Sequence, residues 1–259
     1  QAKLKKQGTP SPYQGRVVLV TGAAGGIGAA CVDAFVNAGA AVAALDIAPC
    51  LTSHEQVLCI QCDVTDDKAI RRAIRQTVSH FGGLDILVSN AGSFPENQNL
   101  ESIDPDAWAK TLALNLTSHQ RVMTAAAPFL MRGWDPAVII VGSKNVPAPG
   151  PGVGAYSAAK AGLTQLARVA ALEWGPQGIR VNTLHPNGVF DTGIWTNKRI
   201  QSRADSYGLT AEEYQARNVL RVKVTAAKVA KMAVAMAGPT FECTTGAQIP
   251  IDGGNDRVI

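Results

Sequence analysis

The sequence predicts an α/β fold: a single domain on a doubly wound parallel β-sheet of about seven strands, with helices on both faces. Three observations carry this. Short valine-rich apolar runs alternate with helical stretches along the chain. A glycine cluster sits between the first run and the helix that follows it. The length of 259 residues and the 46% hydrophobic content suit one large core.

Residues 1–14 are polar and carry Gly8, Pro10 and Pro12, so they read as a flexible tail or linker ahead of a domain at 15–259. The run at 17–20 is continuous and apolar, as a strand buried on both faces must be. A helix over 26–38 follows and stops at Gly39. Further strands are expected at 41–45, 57–62, 84–88, 137–141, 179–184 and 248–251. Helices are expected over 66–81, with Asp66 as cap and Gly82-Gly83 as stop, and over 104–130 and 155–174. Residues 187–223 break the rhythm. They hold Trp195, Tyr207 and Tyr214 among polar residues, and Thr210 with Glu213 makes a capping box that should start a short helix. An insertion after a strand's carboxyl end can fold over a site as a substrate cover; a plain surface excursion is the alternative.

Net charge is +4, from 24 basic and 20 acidic residues, and Lys3, Lys5 and Lys6 crowd into the tail. With no basic cluster elsewhere, a nucleic-acid partner is not expected. No apolar run reaches the roughly 18 residues of a membrane helix, and no leader is visible, so a cytoplasmic protein without a membrane partner is expected. The chain starts at Gln1, as a trimmed protein or a piece of a longer one would. Cys59 and Cys62 form a C-x-x-C, but inside an apolar strand-like run and without a second Cys/His pair at zinc spacing. Reduced thiols and no metal are the expectation.

The chemistry begins at Thr21-Gly22-Ala23-Ala24-Gly25-Gly26-Ile27-Gly28. Glycines permit a tight turn and let the backbone approach a pyrophosphate, and the helix opening there offers free N–H groups and a partial positive charge. Asp46 ends the second strand, 18 positions after Gly28. A carboxylate there accepts from ribose hydroxyls and repels a 2′-phosphate, which favours NAD (NAD+/NADH) over NADP. No Arg or Lys stands in the loop or just after Asp46. A surface Asp at a strand end is the bland alternative.

The spacing Gly-x-x-x-Gly-x-Gly resembles the short-chain dehydrogenase/reductase family, a Rossmann-fold group, and the resemblance runs from residue 16 to 254. Asp63-Val64 matches the family's adenine-contacting pair. Asn90-Ala91-Gly92 matches the triplet after the fourth strand, with Ser89 where many members carry a further Asn. Asn115 in Leu114-Asn115-Leu116 matches the Asn of the fourth helix. Ser143 precedes Tyr156 by 13 residues, and Tyr156-Ser157-Ala158-Ala159-Lys160 is the Tyr-x-x-x-Lys signature. The resemblance implies an oxidoreductase that moves a hydride between nicotinamide and an alcohol or carbonyl carbon of a small molecule. It also implies a homo-oligomer, a tetramer built through 104–130 and 155–174. One departure stands at Pro186-Asn187-Gly188-Val189-Phe190-Asp191-Thr192. Asn187 replaces the common Gly, Val189 and Thr192 are assigned to the carboxamide, and Asp191 is unusual there. Lys144, Asn145 and Trp195 are substrate-binding candidates, and His185 reads as a hydrogen-bonded structural residue.

A narrower resemblance exists. Residues 141–145, the insertion through Tyr207-Gly208-Leu209, and residues 251–259 resemble the C-terminal dehydrogenase half of bifunctional rhamnulose-1-phosphate aldolase/alcohol dehydrogenases. It implies an aldolase domain fused upstream and lactaldehyde as substrate. A sugar, polyol or oxoacyl substrate, or a non-catalytic NAD(H)-binding regulator, are the alternatives.

Tyr156 and Lys160, four apart on a helix, share a face. A free Tyr titrates near 10, and a neighbouring ammonium and a positive nicotinamide ring should lower that. Tyr156 would then pass the alcohol proton, Ser143 would steady the substrate oxygen, Lys160 would hold the nicotinamide ribose, and Asn115 would support a water chain.

Overall fold

The computed structural model describes residues 11–50, 52 and 54–255. Its strands are β1 (Val17–Thr21), β2 (Ala41–Asp46), β3 (Val57–Gln61), β4 (Ile86–Ser89), β5 (Ala137–Val141), β6 (Arg180–Pro186) and β7 (Gln248–Ile251). They form one sheet in the order β3-β2-β1-β4-β5-β6-β7. Every pairing is parallel, with Val18 opposite both Val42 and Ile86. The expected doubly wound sheet is therefore present, with boundaries shifted by a residue or two.

β1 and β5 are buried along their whole length. Strand alternation then feeds two cores: Val17 and Leu19 enter one layer, Val18 and Val20 the other. The first layer is closed by α2 (Asp67–Phe81), α4 (Ser118–Leu130) and α5 (Gly154–Trp174). The second is closed by α1 (Gly26–Asn37) and α8 (Ala226–Ala237). Asp66 caps α2 by accepting from the Lys68 N–H at 2.9 Å, and Gly82 ends it in the left-handed region at φ 88°. The helix expected over 104–130 is α3 (Pro105–Leu112) and α4 joined by a π-helical turn, Ala113–Thr117, which widens the backbone around Asn115.

The capping box at Thr210 starts α7 (Ala211–Gln215), with Thr210 N–H donating to Glu213 at 2.8 Å and Glu213 N–H donating to Thr210 Oγ1 at 3.2 Å. Two helices were not expected: α6 (Asn197–Ser206) and α8. The tail differs as well. Residues 1–10, with the three tail lysines, and 256–259 lie outside the described residues. Tyr13, however, is buried and meets Phe35 edge-on at 5.4 Å, so packing begins ahead of residue 15. Cys50 and Cys59 are joined as a disulfide, which corrects the expectation of reduced thiols for that pair; Cys31 and Cys62 are free and buried. Cys59 lies on β3 and Cys62 just past its end. No helix among the described residues is long and apolar enough to cross a membrane.

β1 has β2 on one side and β4 on the other. The connections leaving them run to opposite faces of the sheet, so a crevice opens at the carboxyl ends of β1 and β4.

Candidate active site

That crevice is a cleft of about 1610 Å³. Its floor is the glycine loop. Gly22 has φ 68°, and a Cβ there would stand 2.8 Å from Asn90 Nδ2; a Cβ on Gly28 would overlap the Gly22 carbonyl oxygen. Only glycine allows these approaches. α1 starts at Gly25 with no side-chain cap, and Gly25, Gly26 and Ile27 line the cleft, so the opening N–H groups face into it. Asp46 stands at the rim. Its carboxylate accepts from the N–H groups of Ala24 and Ala48, each at 2.9 Å, which fixes both oxygens beside the loop. Thr21 opens the loop, but nothing in the sequence marks its role. Its hydroxyl accepts from the Asn90 and Ala91 N–H groups at 3.0 Å, and Asn90 donates to its carbonyl at 2.9 Å, locking β1 to β4 at the crevice.

An uncapped helix start, a glycine cradle and a rim carboxylate fit a dinucleotide. Of the residues expected to hold it, Gly22, Gly26, Ile27, Asp46, Asn90, Gly92, Tyr156, Lys160, Val189 and Thr192 line the cleft. Gly28, Asp63, Val64 and Ala91 do not. Gly28 serves the loop's packing, Ala91 is buried, and Asp63 accepts from the Thr65 N–H and hydroxyl at 2.8 and 2.7 Å. Asp191 turns away from the cleft: both its oxygens take the Ala226 N–H, at 2.9 and 3.2 Å, where α8 begins. The unusual acid is a helix-start partner.

Ser143, Tyr156, Lys160 and Asn115 all line one cleft, though they come from a loop after β5, from α5 and from the π turn. Lys160 is buried, donates to the Val141 carbonyl at 2.9 Å, and lies 5.9 Å from the centre of the Tyr156 ring. Burial pulls its pKa down to about 8. Burial likewise pushes the Tyr156 phenol up, while a hydrogen bond from Ser143 works the other way. Desolvation is thus the leading influence on the phenol, a counterweight that the sequence does not show. Asn115 is fully buried. Its Oδ1 accepts from the Ser93 N–H at 3.2 Å and its Nδ2 donates to the Thr111 carbonyl at 3.1 Å, so its side chain holds the loop after β4.

His185 packs under Ser143, with Nδ1 2.9 Å from the Ser143 carbonyl and Nε2 3.3 Å from Gln248. It is the hydrogen-bonded residue expected, but its role is to seat the loop that carries Ser143. Ser89 and His119 form a second buried couple at 2.7 Å; burial, then nearby Lys160, holds that imidazole neutral.

Lys144, Asn145 and Trp195 line the same cleft. So do Tyr207 and Tyr214, which the sequence marks with Trp195 in 187–223, and Phe94 and Phe190, which it does not. Phe94 lies 4.9 Å from the Tyr156 ring, Phe190 lies 4.8 Å from Trp195 and 5.6 Å from Tyr214, and Tyr207 stacks on Tyr214 at 5.9 Å.

A family profile described as enoyl-(acyl carrier protein) reductase matches residues 22–256. The chain belongs to the short-chain dehydrogenase/reductase family. Within this family of oxidoreductases, the rabbit (Oryctolagus cuniculus) L-fucose dehydrogenase is 34% identical over 93% of this chain and 85% of its own. The uncharacterized oxidoreductase YuxG of Bacillus subtilis is 30% identical over 93% of this chain but only 37% of its own length. The crystal structure of carveol dehydrogenase from Mycobacterium avium in complex with NAD is 25% identical, covers 95% of this chain and 99% of that one, and superposes with a TM-score of 0.85. The short-chain dehydrogenase/reductase assignment thus agrees in sequence and fold.

Proposed function

We propose that this protein is an NAD(H)-dependent dehydrogenase/reductase that interconverts an alcohol and a carbonyl on a small hydroxylated molecule. The observation that carries it is the convergence of Ser143, Tyr156 and Lys160 on the same cleft as the uncapped start of α1 and Asp46. Gly22, Gly26, Ile27, Asn90 and Gly92 would hold the dinucleotide, Asp46 its adenosine ribose, and Val189 and Thr192 its carboxamide. When bound, NAD(H) accepts or returns the hydride. Tyr156 takes or gives the proton at its phenol oxygen. Its raised affinity for that proton suits the donor role in reduction; in oxidation, Ser143 and any positive charge brought beside it must offset the burial. Ser143 donates to the substrate oxygen as charge grows on it. Lys160 holds the ribose, and Asn115 keeps the loop after β4 in place, leaving a water chain behind Lys160 as its proposed second service.

For the substrate, lactaldehyde rests on the narrower resemblance alone. A sugar or polyol gains support from the aromatic wall at Phe190, Trp195, Tyr207 and Tyr214 beside Lys144 and Asn145, since sugar faces pack on rings while their hydroxyls need polar partners. Residues 187–223 contribute much of that wall, which supports their role as a substrate cover. The 37% share of the YuxG protein is compatible with a domain of this kind inside a longer chain, as an upstream aldolase would require. A tetramer through α3–α4 and α5 has support from Leu172 and Val169, which stand exposed on α5. The deciding experiment is a turnover screen of sugars, polyols and small hydroxyaldehydes at fixed NAD+. NADH formation is expected, with NADP+ at least tenfold poorer in kcat/KM, about 1.4 kcal/mol. NADH binding with no turnover across the panel would leave the regulator reading in its place.

A further inference from the structure

We propose that the mouth of the cleft is an anion subsite, selecting a substrate that carries a carboxylate or phosphate away from the reacting carbon. This rests on the dehydrogenase reading and narrows its substrate class. Besides Lys160, five cations line the cleft: Lys144, Arg199, Arg203, Arg217 and Arg221. Three carboxylates line the same region: Glu96, Glu213 and Asp252. The cations outnumber these carboxylates by two, and two of the carboxylates are fixed by local hydrogen bonds. Glu213 accepts from both the N–H and the hydroxyl of Thr210 at 2.8 Å, and Asp252 accepts from the Gly254 N–H at 2.8 Å.

The cations are held in place. Arg199 and Arg203 are one turn apart on α6, flanking Ile200 and Ala204, which α6 buries. Arg199 Nη1 donates to the Ile194 carbonyl at 2.6 Å. The Arg217 guanidinium lies over the Tyr207 ring at 4.2 Å from its centre. Arg221 sits at the turn of a tight loop with φ 51°, and Asn218 clamps that loop by donating to the Val222 carbonyl at 2.7 Å and accepting from the Val222 N–H at 3.1 Å. Burial raises the Tyr214 phenol, and the positive charges of Arg203 and Arg217 work the other way.

Gathering like charges costs self-repulsion, and apolar walls beside them strengthen the field. An anion bound among them relieves the cost. Guanidinium forks match carboxylate and phosphate oxygens in pairs, which a neutral hydroxyl does not exploit. The aromatic rings supply a face for the carbon chain between the anion and the reacting carbon.

The test uses matched probes: gluconate against glucitol for a carboxylate, and glycerol 3-phosphate against glycerol for a phosphate. Two readouts are taken, the melting temperature of the NADH complex and kcat/KM with NAD+. At least one charged probe should raise the melting temperature where its neutral twin does not, and exceed that twin by about tenfold or more in kcat/KM. The double variant Arg217→Gln/Arg221→Gln should lose both preferences while its NADH affinity stays unchanged; Arg203→Gln alone serves if the double variant fails to fold. Binding of a charged probe without any turnover would keep the subsite and remove the dehydrogenase reading for these compounds. Equal binding of charged and neutral twins overturns the subsite. Loss of NADH affinity in the variants also overturns it, because the cations would then serve the cofactor's own phosphates.

Discussion

The two ends of the sheet each bury cations, and they treat them differently. At the amino ends of the strands, Arg16 and Arg180 share Asp135, with ion pairs of 3.3 and 3.1 Å. Arg180 also donates to the carbonyls of Met236, Phe241 and Ala237, at 3.0, 3.3 and 3.1 Å. Arg16 donates to the carbonyls of Asp135 and Ala237 and stacks on Tyr13, whose hydroxyl is bonded to Val234. At the carboxyl ends, Lys160 is as deeply buried but has one carbonyl partner, Val141, among its described bonds. The first set shares a carboxylate and makes five bonds to carbonyls, leaving the Nε atoms of Arg16 and Arg180 without partners, and it joins α8 to the sheet. The second is under-matched, and burial alone pulls the amine to about 8. A buried charge with its partners supplied serves the fold; one held short of partners is ready to serve a ligand.

The largest expected effect separates the ends most sharply. Lys160→Met should lower kcat by about a hundredfold or more if the ammonium orients cofactor and proton donor. It should also stabilise the protein. Folding lowers the amine from 10.5 to about 8, so below pH 8 the folded state carries a penalty of about 3 kcal/mol that methionine removes. The unfolded chain binds more protons between those values, so wild-type stability rises with pH there and the variant's advantage shrinks towards pH 10.5. Thermal or denaturant melts across pH check this; a variant less stable than wild type at pH 7 would break the contrast. Next, Asp135→Asn should cost about 2 kcal/mol, or roughly 4–8 °C in Tm, with kcat unchanged. The loss is below that of a fully buried pair because the Asp135 side chain is 40% exposed. A fall in kcat would show that the amino end is not purely structural. Smallest, Asp46→Asn should narrow the preference for NAD+ over NADP+ by about tenfold, near 1.4 kcal/mol, without moving Tm by more than a degree or two. An unchanged preference would remove Asp46 from cofactor choice.

The same contrast governs what could be read from sequence. The carboxyl end was legible because its parts are local strings: the glycine loop, Asn90-Ala91-Gly92 and Tyr156-x-x-x-Lys160 each sit within a few consecutive residues. The strands were legible because continuous apolar runs have no other use in a soluble core. The amino end was not, since Arg16, Asp135 and Arg180 meet only after distant segments fold together. α8 was missed because alanines make its buried stripe, Val229, Ala230, Ala233, Met236 and Ala237, too faint in contrast. Among its described side chains α6 buries only Ile200 and Ala204, so almost no apolar period marks it. Asp191 was visible as an oddity, but its partner Ala226 lies 35 residues on. The pairing of Cys50 with Cys59 and the desolvation of Tyr156 likewise depend on packing that no local pattern encodes.

The most direct test of Tyr156 as proton carrier at this end of the sheet is Tyr156→Phe, assayed with whichever substrate the screen yields. The account predicts unchanged NADH affinity and fold, with kcat lower by about two to three orders of magnitude. Activity within a few fold of wild type, in a variant that still binds NADH, would contradict it.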